Sequence, residues 1–209
     1  MRIDASVTTY VVGERLPWPD EDGARLGTPA FEPALLFGAG GKRPCAIHKI
    51  SQSGVTVSGD ALGLAGERAA LELPNGQRCA ATIEWARGRE AGLAFDGPLD
   101  IVALINRNLV AQPAERRTMP RIELRCPAHL KWGEHFEAAL TRNISASGIQ
   151  VEGDHLPPVG TYCALFLDGI NLPAADVAWR RDRLAGLEFF EELSWASIIP
   201  WVKSVSRRQ

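Results

Sequence analysis

Arg116-Arg117-Thr118-Met119-Pro120-Arg121 and, beyond a strand-like segment, Asn143-Ile144-Ser145-Ala146-Ser147-Gly148 are the two pieces around which this chain is organised. The first sets arginines four apart across a proline. Pro120 pushes Met119 out of the helical region, so the piece is an extended or looped arm. Arginines on such an arm can fold over a ligand, and each offers a planar fork of donors suited to phosphate oxygens or to the O6/N7 edge of guanine. The second piece is a turn. Asn143 and Ser145 supply short polar side chains, and Gly148 lets the backbone come close to whatever sits there.

The turn has a counterpart 94 residues earlier, Lys49-Ile50-Ser51-Gln52-Ser53-Gly54. From Lys49 to Phe95 and from Asn143 to Phe189 the two segments align without a gap, with 21 identities in 47 positions. Unrelated segments share far less. Two copies at so long a period mean duplicated domains, because solenoid repeats run about 20–50 residues.

Both copies read as β. Val55-Val57 and Ile149-Val151 alternate with polar residues as half-buried strands do. Ala81-Ile83-Trp85 and Ala175-Val177-Trp179 alternate in the same way, which predicts that both tryptophans belong to a core. Leu93-Phe95 and Leu187-Phe189 close each set. Pro74-Asn75-Gly76 and Asp168-Gly169 mark turns between strands. Short strands at this spacing predict a small barrel or sandwich. Each copy then turns helical. Leu99, Ile101, Leu104, Ile105 and Leu109 form a stripe at helical spacing. Leu193 to Val205 is the second helix, where Pro200 is expected to kink or interrupt it.

Arg117-x-x-x-Arg121 followed by Asn143-x-Ser145-x-x-Gly148 resembles the two-part signature of the PilZ family, small β-barrels that bind the bacterial second messenger cyclic di-GMP. The resemblance implies a mainly β fold: two tandem antiparallel β-barrels of PilZ type, each followed by a C-terminal helix. It also implies a site in which the arginines hold guanine and phosphate while the Asp/Asn, Ser and Gly hold the other base edge. Carried over residue by residue, that site is Arg116, Arg117, Arg121, Asn143, Ser145 and Gly148. Asn143 stands where many family members carry Asp. In the family a basic residue just before the first arginine goes with capture of a stacked ligand pair, and Arg116 fits that pattern. The first copy departs from the signature. Lys49 replaces the Asp/Asn, and Arg25 stands alone upstream. It is read as a degenerate copy, with Lys49 left as a point charge able to touch a phosphate.

The expected domains are an N-terminal arm (1–24), a degenerate barrel (25–110), a linker carrying the arginine motif (111–120) and a ligand-binding barrel (117–205). Within the arm, Val7 to Val12 reads as an added edge strand and Pro17 to Gly23 as a loop. The clamp arginines lie at the junction of the two copies, so their engagement is expected to re-aim the domains. Ordering of a segment on binding is a known switching device, driven by contacts that differ between the two states. The basic end, Lys203 to Arg208, is read as a solvated tail.

Composition narrows the function. The 209 residues are 45% apolar and carry a net charge of −2. No overall basic field draws the chain to nucleic acid or to an anionic membrane. No run of 18 apolar residues is present to span a bilayer, and Met1 to Ala5 has no signal-peptide core. The four cysteines stand singly, which points to free thiols in a reducing cytoplasm. Cys126-x-x-His129 with His135 lacks the fourth ligand and spacing of a metal cluster. Gly38-Ala39-Gly40-Gly41-Lys42 has the wrong spacing for a phosphate loop and reads as a hairpin turn. No other enzymatic motif is present. Arg180 faces Ala86 in the alignment and is a candidate for a role confined to the second copy.

Together with these observations, the resemblance implies a cytoplasmic cyclic di-GMP receptor with no cofactor, metal or catalysis of its own, signalling through an unknown protein partner. The alternative is a ligand-independent adaptor with a vestigial site. A nucleic-acid-binding barrel fits poorly with the charge and with the lack of interleaved aromatics.

Overall fold

The computed structural model describes residues 8–13, 15–18, 31–111 and 120–206. The chain divides into two compact units, 1–120 and 121–209.

The first unit contains β1 (Thr9–Val11), β2 (Glu32–Gly38), β3 (Gly41–Ile50), β4 (Gly54–Gly59), β5 (Arg68–Glu72), β6 (Arg78–Arg87), β7 (Glu90–Phe95) and α1 (Ile101–Ala111). The antiparallel pairings run β3–β2–β5–β6–β7–β4 and return to β3, so six strands close into a barrel. Closure follows from the alternation. Leu36, Ile47, Val57, Leu71, Ile83 and Leu93 project inward and are almost fully buried. Each such side chain contributes about 1.5–3 kcal/mol on burial. Leu104 and Ile105 bury the inner face of α1. The stretch Gly38 to Lys42 is a hairpin as expected, with Gly38 paired to Gly41 around Ala39-Gly40.

The second unit contains β8 (Arg121–Glu123), β9 (Pro127–Trp132), β10 (His135–Ser145), β11 (Gly148–Glu152), β12 (Tyr162–Leu167), β13 (Ala175–Arg181), β14 (Leu184–Phe189) and α2 (Trp195–Ser206). Its pairings run β10–β9–β12–β13–β14–β11 and return to β10, again a closed ring of six antiparallel strands. Leu130, Ile144, Val151, Val177 and Leu187 fill the interior, and Ile198 and Val202 bury one side of α2.

Internal details recur in both units at the same 94-residue offset. Register shifts fall between Ile47 and Lys49 and between Thr141 and Asn143. Two more fall between Ile83 and Trp85 and between Val177 and Trp179. Asp60 pairs with Arg89 at 3.2 Å and Asp154 with Arg183 at 2.7 Å. The β6–β7 turn has Gly88 at φ +60°, and the β13–β14 turn has Asp182 at φ +51°. Aspartate tolerates that left-handed position better than most residues.

The shifts correct one expectation. Period-two alternation put Trp179 on the inner face with Val177. The bulge at Ala178 inserts one residue, as β-bulges do. Trp179 therefore pairs with Gly186 on the outer face and is 39% exposed. Trp85 pairs with Gly92 in the same way. Each indole lies on a glycine because a Cβ at Gly92 or Gly186 would fall 2.1 Å from the indole Nε1.

The second correction concerns α2, which Pro200 does not interrupt: the helix continues from Trp195 to Ser206. The carbonyl that Pro200 leaves without a helical donor belongs to Ala196, and both residues are exposed or half-exposed. Water can take the missing donor's place on that side. On the buried side, Trp201 Nε1 donates to the Asp168 carbonyl at 2.8 Å and ties the helix to the end of β12.

Candidate functional site

The second unit gathers several of the sequence-predicted residues on one outer face. In β10 the core residue is Ile144, paired to Ile122 of β8 and Ile149 of β11. Strand neighbours point to opposite faces. Asn143 and Ser145 therefore share the outside. Asn143 is flanked by Glu123 on one side and Gln150 on the other. Arg121 is the first residue of β8 and Ser145 the last of β10, each one position beyond the pair Ile122–Ile144. The strand that begins at Arg121 is thus paired with the end of β10, which carries Asn143 and Ser145.

A row of paired residues crosses this face: Glu123, Asn143, Gln150, Gly186 and Trp179. A second row begins at Ser145 and passes through Gly148 and Glu188 to Asp176. The Asn143 amide donates to Gln150 Oε1 at 2.5 Å, which orients its own carbonyl oxygen the other way. Ser145 Oγ lies 3.3 Å from the Gly148 carbonyl and 3.4 Å from Ser147 Oγ. The face thus combines amides, a hydroxyl, carboxylates and an arginine with an indole at one edge. Such a set can bind a flat polar ring system carrying both donors and acceptors.

One hydroxyl holds this geometry. Thr141 is buried at the β10 bulge. Its Oγ1 donates to the Leu124 carbonyl at 3.0 Å and accepts from the Cys126 N–H at 2.9 Å. Those two groups lie in the break between β8 and β9. Thr141 therefore satisfies the backbone where the chain leaves the ladder, and so fixes β8 against the end of β10.

Gly148 has a role in packing as well. A Cβ there would stand 2.4 Å from the Leu187 carbonyl. Gly54 makes the same approach to the Leu93 carbonyl, also 2.4 Å. The close neighbour is the barrel's own strand, β14 or β7.

The other sequence-predicted residues fall elsewhere. Arg116 and Arg117 lie outside the described residues. Arg180 follows Trp179 on the strand, and its guanidinium donates to the Leu156 carbonyl at 2.5 Å. That bond ties the arginine to the loop after β11. Lys49, the counterpart of Asn143, is 5% exposed, so the outward point charge expected there is covered. The rings of His129 and His135 stack on Phe136 and Trp132, each with centroids 5.1 Å apart. Sequence reasoning missed Trp179 as a residue of this face because a bulge is invisible to simple alternation. The signal available was the pairing of a tryptophan and a glycine in both copies.

No family model matches the chain, and no curated protein does. Among solved structures, the Borreliella burgdorferi PlzA protein in complex with c-di-GMP is similar at 11% identity and a TM-score of 0.33, over 82% of this chain and 86% of that one. The Bacillus subtilis inhibitor of motility MotI/DgrA is similar at 15% identity and a TM-score of 0.33, over 85% and 96%. Escherichia coli YcgR in complex with c-di-GMP is similar at 13% identity and a TM-score of 0.27, over 86% and 82%. Identities and TM-scores this low carry no argument about the present chain.

Proposed function

We propose that this chain is a cyclic di-GMP receptor whose second barrel holds the ligand and which passes the signal to a protein partner without catalysis of its own. The observation that carries the reading is the pairing of β8, which begins at Arg121, with the end of β10, which carries Asn143 and Ser145. The residues of the two sequence motifs are 22 positions apart in the chain at their nearest, Arg121 and Asn143. In this reading Arg121, with Arg116 and Arg117 ahead of it, clamps phosphate and the O6/N7 edge of guanine. Asn143 and Ser145 take a second base edge. The carboxylates of Glu123 and Glu188 beside them suit a purine that carries an exocyclic amine. Trp179 offers a surface for stacking.

The tandem arrangement supplies the output. The two copies are the product of a duplication, and the arginine arm is their junction. Closing the arm on the ligand re-aims one barrel against the other. Free thiols at Cys45, Cys79, Cys126 and Cys163 suit a reducing, cytoplasmic setting. No helix among the described residues is long and apolar enough to cross a membrane.

Calorimetry with cyclic di-GMP tests the reading. The wild type should bind, and Arg121→Ala should weaken binding about tenfold to a hundredfold, the worth of one charge-assisted hydrogen bond. A stoichiometry near two would add the stacked pair suggested by Arg116. Small-angle scattering with and without ligand should give different curves, and superimposable curves would remove the re-aiming step.

A second reading, the ligand-independent adaptor, is favoured by a different observation. Phe136 and Phe166 are 59% and 49% exposed and lie 5.9 Å apart on the outer face of β10 and β12. Tyr162 and Phe190 stack on each other and are also exposed. Clustered exposed aromatics mark protein-binding surfaces. If the wild type shows neither heat nor thermal stabilisation with cyclic di-GMP, the adaptor reading replaces the receptor.

A further inference from the structure

The first barrel has the same outer face as the second, and it is already filled. The row that corresponds to Glu123, Asn143, Gln150, Gly186 and Trp179 is Thr9, Lys49, Thr56, Gly92 and Trp85. Lys49 and Thr56 are 5% and 2% exposed, and Ser51, the counterpart of Ser145, is fully buried. The N-terminal segment lies against Lys49 and Thr56.

That segment enters by strand addition. β3 outruns β2 by three residues, and β1 pairs in parallel with the overhang at Lys49 and Ile50. Thr8 Oγ1 donates to the Ile47 carbonyl at 2.6 Å and accepts from the Glu32 N–H at 2.8 Å. Tyr10 is fully buried beside Ile50. The chain then crosses the outer face. Leu16 Cδ2 comes within 3.1 Å of where a Cβ on Gly54 would stand. Thr56 Oγ1 donates to the Pro17 carbonyl at 2.6 Å. Trp18 closes the crossing: its ring meets Trp85 edge to face at 5.8 Å and lies over Gly92.

We propose that the outer face of the first barrel is a peptide-binding site, and that its occupant is the N-terminal segment of the same chain, seated through residues 8–13 and 15–18. The overhang of β3 supplies main-chain pairing, which gives affinity to an added strand irrespective of sequence. The seat formed by Gly92 and Trp85 supplies the specificity, since it takes an indole and only a glycine leaves room for one. The correspondence with the second barrel rests on the receptor reading above. The binding of the segment does not.

The test separates the two. Protein lacking residues 1–18 is titrated by calorimetry with a synthetic peptide spanning Thr8 to Trp18. One peptide per chain should bind, and the Trp18→Ala peptide should bind at least about tenfold more weakly, the loss of a buried aromatic anchor. A truncated protein that keeps its β-sheet circular dichroism but ignores the peptide overturns the proposal. Equal binding of the two peptides overturns it as well. Should the truncated protein fail to fold, the full chain carrying Trp18→Ala decides. Trypsin should then cut after Arg15 at least about tenfold faster than in the wild type, because the local opening it needs is no longer opposed by the anchor. An unchanged cutting rate overturns the proposal. Absence of cyclic di-GMP binding to the wild-type full chain would sink the receptor reading and leave the peptide result standing.

Discussion

At the scale of single residues, the glycine of the turn has the same structural part in both copies. Gly148 and Gly54 approach the carbonyls of Leu187 and Leu93 equally closely. Only one of the two copies carries the full motif, so the glycine is needed by the barrel in both. Gly148→Ala and Gly54→Ala should each destabilise their own unit by about 1–3 kcal/mol, as overpacking does. Denaturant unfolding checks this, and equal losses are expected. Trp179 is the opposite case. Half-exposed on the outer face, it contributes little to the interior, so Trp179→Ala should leave the fold intact and lower cyclic di-GMP affinity in calorimetry. The glycine was legible in the sequence because the degenerate copy retained it. The tryptophan was hidden, because a single inserted residue at Ala178 reverses the face of everything after it.

At the scale of elements, strands and turns were readable and their joins were not. Alternating apolar residues located β4, β6, β7 and their counterparts, and Gly38 to Lys42 announced its hairpin. The candidate edge strand in Val7 to Val12 is β1, yet nothing local says that it runs parallel to β3. Strand direction at an overhang is decided by where the segment arrives from, which is a tertiary matter. The break between β8 and β9 was equally silent, since it depends on Thr141, 15 residues further on from Cys126. Thr141→Val keeps the shape and removes the hydroxyl. It should cost about 1–3 kcal/mol for the two backbone groups left without a partner. In calorimetry it should also weaken ligand binding, because β8, which begins at Arg121, would no longer be fixed against the end of β10.

At the scale of the whole molecule, the mainly β character was legible from alternating residues, and the repeat of 21 identities in 47 positions is matched by bulges and ion pairs at the same offset. Stability against pH belongs to this scale too. Burial raises the Cys45 thiol from its ordinary 9.0 to about 11, and burial together with the Asp176 charge does the same to Cys163. A thiol held neutral in the folded state contributes no penalty below its ordinary value of 9.0. Above that value the unfolded chain releases its protons first, so the folded state loses stability as pH rises from about 9 to about 11. Melting temperatures at pH 8 and pH 10.5 should therefore fall more steeply in the wild type than in Cys163→Ala.

The two short strands at the overhangs carry a last implication. β1 meets β3 in parallel and β8 meets β10 antiparallel, at matching positions on matching barrels. The corresponding ledges thus hold a short strand of one polarity in the first barrel and of the other in the second. Identity resides in the cargo tethered beyond: an indole in one case, a run of cations in the other. In the receptor reading proposed above, such a module would change its vocation by exchanging the attached tether, while the barrel beneath stays as it was.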